Sequence, residues 1–254
     1  MTHRALQDRW DRGEAALGGS AHLTPASIEA LVAAGYDWVW MDCQHGPYDE
    51  AAAAAVLREL AGVPYAVAVR VAANDAAAIG RVLDAGADAI IVPLVESPQE
   101  AARAVAACRY PPAGVRSFGP GRADLGWDLE VLERRASCFV MVESAGALAD
   151  VDAIAATPGL AGIVAGPIDL GISMGIAPRD AAGSVPLRDA LAEIVAACER
   201  AGVVPGVLAY GADHAVECVG LGFTFVGVGA DAYALRAAAA REVEQVRRAG
   251  RERA

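Results

Sequence analysis

Apolar runs of four to six residues alternate eight times with longer segments of helical spacing. A short, unbroken apolar run between helical segments is what a strand buried on both faces looks like, as in a parallel sheet. Strands are expected near Ala15–Gly18, Trp38–Met41, Ala66–Arg70, Ala89–Pro93, Cys138–Val142, Gly162–Ala165, Val203–Val207 and Phe223–Val228. The helices between them have readable ends. Thr24-Pro25 supplies a cap and a first-turn proline, "SPQE" (Ser97 to Glu100) reads as a capping box, and Gly35, Gly62, Gly86 and Gly202 follow last turns.

Eight such units within 254 residues fit a single-domain α/β (β/α)8 TIM barrel. An open doubly wound sheet would carry a Gly-rich phosphate fingerprint after its first strand. "GSAHLT" is not that fingerprint, so the barrel is favoured. A helical tail from about residue 231 is expected to serve oligomer contacts.

Charge and residue usage narrow the function. The formal charge is −11 and the isoelectric point is about 4.8. Nucleic acid and anionic membranes both attract concentrated positive charge, so neither is an expected partner. The first residues lack the apolar core of a secretion signal, and no apolar stretch reaches membrane-spanning length. The five cysteines are scattered, which suits buried thiols in a reducing cytoplasm. All 21 basic residues are arginine. Without a lysine the chain can form neither a Schiff base with substrate nor a pyridoxal-phosphate anchor.

Barrel enzymes place their chemistry at the C-terminal ends of the strands. The residues at those ends are Asp42, Gln44 and His45 in "YDWVWMDCQHGPYD", Arg70 in "YAVAVR", Glu143 in "CFVMVE" and Asp169 in "VAGPIDLG". Two carboxylates with sites left over suit a hard divalent cation such as Mg²⁺ or Mn²⁺; taken singly, each acid is as readily a helix cap. Arg70 is either a salt-bridge partner or a fixed donor to an anion. His45 is one of four histidines. His3 and His214 sit in unpromising contexts, and His22 is its rival. Asp84, in the last turn before Gly86, opposes the helix dipole unless a cation compensates it, a histidine being one option. "GVGAD" lies where barrels often hold phosphate, but Asp231 would repel one. "RSFGPGRA" (Arg116 to Ala123) is a lid or a long connection.

Six pieces occur in order over roughly residues 14 to 235: "GYDWVWMDCQHGPYD", "VAVRVAAND", "RVLDAGADAIIVPLVES", "RYPPAGVRSFGPGRA", "VMVESAGALADVDAIAATPGLAGIVAGPIDLGISMG" and "FTFVGVGADAY". Through them the sequence resembles the HpcH/HpaI-type class II 2-oxo acid aldolases, typified by 4-hydroxy-2-oxoheptanedioate aldolase and 2-dehydro-3-deoxygalactarate aldolase. The resemblance implies that Glu143 and Asp169 ligate a divalent metal, Mg²⁺ or Mn²⁺ with Co²⁺ as a further candidate. It implies that His45 is the general base, Asp84 the acid that raises its basicity, and Arg70 the stabiliser of an enolate oxygen. Gly166, Pro167 and Ile168 would hold the pyruvate carboxylate, and an aldehyde would be the second substrate. A cytoplasmic homo-oligomer, commonly a hexamer in this family, is expected. Two positions depart from the pattern. Gln44 stands where D-x-E-H is usual, and Met141 stands where well-studied members carry Gln. Both bear on substrate contacts. A CoA-ester lyase of the citrate-lyase β-subunit type and a non-catalytic barrel that binds a 2-oxo acid are the alternatives.

Overall fold

The computed structural model describes residues 6, 9–10, 12–22 and 24–251; His3 lies outside them. Eight parallel strands close into a barrel in chain order: β1 Ala16–Ser20, β2 Trp38–Asp42, β3 Ala66–Arg70, β4 Ala89–Val92, β5 Ser137–Val142, β6 Gly162–Ala165, β7 Val204–Leu208 and β8 Phe225–Ala230. β1 closes the ring on β8, with a register shift between Gly18 and Gly19. Among the described residues no helix is long and apolar enough to cross a membrane.

Side chains alternate across each strand, so parity decides what faces the barrel interior. Trp38 and Trp40 of β2, Ala66 and Ala68 of β3, and Phe139 and Met141 of β5 share the interior cluster. Val39, Met41, Val67, Val69, Val140 and Val142 pack outward against the helices in the larger cluster. The floor is aromatic. Trp38 stacks on Phe225 with centroids 3.8 Å apart, and Phe225 stacks on Phe139 at 4.7 Å. Gly18 makes room for this layer, since a Cβ there would lie 2.2 Å from Trp38 Cε2. A filled floor leaves only the opposite mouth open.

Helix ends behave largely as their sequences suggest. Thr24 and Ser27 form a capping box, and Ser97 Oγ accepts from Glu100 N at 3.3 Å. The Glu100 carboxylate reaches the N–H of Glu96 rather than that of Ser97. All five cysteines are free and buried. The last helix, Asp231–Arg251, behaves differently from the others. Nearly all of it beyond Ala232 is exposed, including Tyr233, Leu235 and Val246.

Candidate active site

Continuing the inward parity by two residues carries β2 to Asp42, β3 to Arg70 and β5 to Glu143, all at the C-terminal mouth. β6 continues to Gly166, which starts the helix Pro167–Ser173 and sets Asp169 in its first turn. The mouth opens into a cavity of about 870 Å³ bordered by Asp42, His45, Arg70, Met141 and the run Gly166–Asp169. His22 borders it as well, so both candidate histidines reach the cavity. His214 does not. It stacks on Tyr210 and sets Nε2 3.5 Å from Cys218 Sγ.

Arg70 is held rigidly. Its Nε donates to Asp42 Oδ1 at 2.8 Å, and its Nη2 donates to Oδ2, a two-pronged pair that fixes the guanidinium plane. Nη1 faces Met141 Sδ at 3.9 Å. Asp42 Oδ1 also accepts the backbone N–H groups of Gln44 at 3.0 Å and His45 at 3.2 Å. Burial alone would raise the Asp42 pKa. The hydrogen bonds and charge of Arg70, with the two backbone donors, outweigh burial and hold it below the usual carboxylate range. Asp42 thus ties the fixed cation to the loop that carries His45.

Glu143 is only 4% exposed. Its Oε1 accepts from Leu94 N at 2.7 Å, and Leu94 adopts a left-handed φ of 54° to present that donor. Burial raises the Glu143 pKa first, and the Asp169 carboxylate raises it further. Leu94 N–H, Arg70 and His45 oppose them without cancelling the shift. Gly166 packs so closely that a Cβ on it would lie 2.7 Å from Glu143 Oε2. The result is a buried carboxylate, its pKa raised, beside a second acid. A divalent cation would relieve that arrangement, so the donor set fits one. No third His, Cys, Asp or Glu joins the pair into a larger ligand cluster among the described residues.

Two expected site residues fall elsewhere. Asp84 ends its helix as anticipated, but the cation that compensates it is Arg116, whose Nη2 donates at 2.8 Å. Neither Asp84 nor Gln44 borders the cavity, and no hydrogen bond joins Asp84 to His45 among the described residues. Burial raises the Asp84 pKa, and Arg116 only partly opposes it. Gln44 buries its Oε1 without a hydrogen-bond partner. The Arg116–Ala123 segment is a connection along the barrel flank. Gly121 N donates to Asp84 O at 2.7 Å, and Arg122 Nη1 to Leu57 O at 2.9 Å. At the start of the last helix, Asp231 takes the N–H groups of His22 and Ala232 and the Ser27 hydroxyl.

Asp42 is the site residue that sequence reasoning left without a role. Part of the signal was present: Trp38, Trp40 and Asp42 share one parity, so an inward-facing acid at the strand end was readable from the spacing, though its pairing with Arg70 was not.

The chain is similar to known proteins in both sequence and fold. The chain is 36% identical over 236 residues to a hydroxypyruvate/pyruvate aldolase of Paraburkholderia phytofirmans, covering 87% of this chain and 89% of that protein. It is 35% identical over 215 residues to a 4-hydroxy-2-oxovalerate aldolase of Rhodococcus jostii, covering 82% of each. The solved structure of a family protein from Burkholderia cenocepacia superposes with a TM-score of 0.88 at 32% identity, covering 97% of this chain and all of the other. The family profile described as HpcH/HpaI aldolase/citrate lyase matches residues 20–238, and the chain belongs to that family.

Proposed function

We propose that the chain is a divalent-metal-dependent aldolase that forms and cleaves 4-hydroxy-2-oxo acids, with pyruvate as one product of cleavage. The observation that carries this reading is that Asp169, Arg70 and His45 border one cavity while the buried Glu143, packed behind Gly166, lies close enough to feel the charge of all three. Glu143 and Asp169 would hold Mg²⁺ or Mn²⁺. When bound, such an ion polarises the 2-oxo group of the substrate as a Lewis acid. The absence of lysine removes the Schiff-base route.

The chain's own residues supply the rest. Ile168, between Pro167 and Asp169, borders the cavity, and its backbone would hold the substrate carboxylate. Arg70 is oriented by Asp42 before substrate arrives, so its positive charge costs no reorganisation when the 2-oxo oxygen becomes an enolate oxygen. His45 takes the proton of the 4-hydroxyl as the C3–C4 bond breaks. The bonding electrons pass into the pyruvate enolate, and the former C4 leaves as an aldehyde carbonyl. Asp84 would act on His45 only from outside the contacts of a single chain, since its own carboxylate is engaged by Arg116. Arg70 is the single arginine among the described residues bordering the cavity, which disfavours a CoA ester with its several phosphates.

The exposed last helix supports self-association, and the sedimentation mass of the full chain decides it. The test of the activity is deuterium exchange into the pyruvate methyl group, followed by NMR. Exchange should require Mg²⁺ or Mn²⁺, stop on chelation, and survive borohydride treatment with pyruvate. Glu143→Gln and Asp169→Asn should fold yet lose most Mn²⁺ affinity. Exchange indifferent to chelation, or parental Mn²⁺ binding in both variants, refutes the reading.

A further inference from the structure

The cavity is larger than pyruvate needs, and its two halves differ in chemistry. One half is ionic: Asp42, His45, Arg70 and Asp169. The other is built from the ends of β7 and β8 and the first turns of the last helix. It presents Leu208, Tyr210, Val228, Tyr233 and Ala237, with Trp40 beneath. Tyr210 is braced by its stack on His214, whose rings lie 3.7 Å apart at 9°, so this wall is shaped in advance.

We propose that this second half selects an uncharged, apolar aldehyde over one that carries a carboxylate. The inference rests on the aldolase reading above and deepens it. A carboxylate entering this half would shed part of its water, the side toward Tyr233 and Ala237 staying exposed, and would meet rings and aliphatic groups. Arg70, the one arginine bordering the cavity among the described residues, is already bound through two nitrogens by Asp42 and faces the other half. Arg236 lies over the Tyr233 ring, with Cζ 5.5 Å from its centroid, and does not border the cavity. His22 can offer an N–H, which suits a hydroxyl or carbonyl. An apolar tail meets the same surface with its burial favourable throughout.

Two 2-oxo acids of equal length separate the cases without turnover, because both lack the 4-hydroxyl. 2-Oxoheptanoate and 2-oxoheptanedioate are titrated calorimetrically into the Mg²⁺-loaded full chain, with pyruvate as reference. 2-Oxoheptanoate should bind more tightly than pyruvate, and more tightly than the diacid by ~30-fold. Leu208→Arg should bring the two heptanoates to within about threefold of each other by supplying the missing cation. The kcat/KM for condensing pyruvate with butanal should exceed that with succinic semialdehyde in the same sense. Equal binding of the two acids, or a preference for the diacid that Arg236→Gln abolishes, overturns the inference. If pyruvate methyl exchange is intact while the tails bind equally, this inference alone falls. If pyruvate neither binds nor exchanges, the aldolase reading falls and takes the inference with it.

Discussion

Replacing Asp42 by Asn removes the counter-charge of Arg70 while keeping the shape of the side chain. In the parent, both oxygens are used: Oδ1 by Arg70 Nε at 2.8 Å and by two backbone N–H groups, Oδ2 by Arg70 Nη2. An Asn that keeps its oxygen toward the backbone donors must aim its NH₂ at Nη2, donor against donor. The side chains are only 5% and 11% exposed. Removing one member of a buried pair costs ~3–5 kcal/mol, and water in the adjoining cavity should lower this to roughly 2–3 kcal/mol. The sign with pH follows from the depressed Asp42 pKa. The folded chain holds that proton less readily than the unfolded one, so the stabilisation is complete above the ordinary value of about 3.9. It is lost as pH falls through the folded value. Urea unfolding at pH 7 and pH 3 should therefore show a wide gap between parent and Asp42→Asn that narrows in acid. A double-mutant cycle with Arg70→Met should give a coupling of about 2 kcal/mol at pH 7. Additivity to within ~0.5 kcal/mol would refute the pairing as a source of stability.

Gly166→Ala should destabilise the fold by ~1–3 kcal/mol and weaken Mn²⁺ binding, because the new Cβ would meet Glu143 Cβ at 2.8 Å as well as Oε2. The clash involves the root of the side chain, so rotation cannot relieve it; unchanged thermal stability and Mn²⁺ titration would count against the proposed cradle. Leu94→Asn should raise stability by ~0.5–1 kcal/mol in chemical denaturation, since Asn tolerates the left-handed backbone that Leu94 holds at φ 54°. Leu94 is 59% exposed, so little packing is surrendered; a loss of stability would show that its side chain supports the Glu143 contact.

The barrel was legible because its signal is local and repeated. Each strand is an apolar run bounded by helix caps, and β3 and β6 coincide with the expected Ala66–Arg70 and Gly162–Ala165. The first and last strands moved furthest. β8 spans Phe225–Ala230 rather than Phe223–Val228, and β1 ends at Ser20 rather than Gly18. The cause is not in either segment alone. These two strands close the ring on each other across a register shift, and Ala16 N pairs with Thr224 O just outside β8. Closure of a barrel is a long-range condition, and apolar spacing within ten residues does not encode it.

The site divides along the same line. Residues whose placement needs only strand parity, such as Arg70 and Glu143, were readable at the strand ends. Partnerships were not. Asp84 called for a cation, and the sequence offered histidine as readily as arginine. Arg116, 32 residues away, takes that place because the flanking connection folds back along the barrel. Asp42 shows the converse. Its position was legible, but its role depends on a neighbouring strand arriving in register, Asp42 opposite Arg70. That register puts an acid and a guanidinium side by side at the mouth, and the acid then collects the backbone donors of the histidine loop. One carboxylate therefore couples the orientation of Arg70, the charge proposed to meet the enolate, to the placement of His45, the proposed base. A change at Asp42 should disturb both roles together, whereas a change at His45 leaves the Arg70 geometry standing.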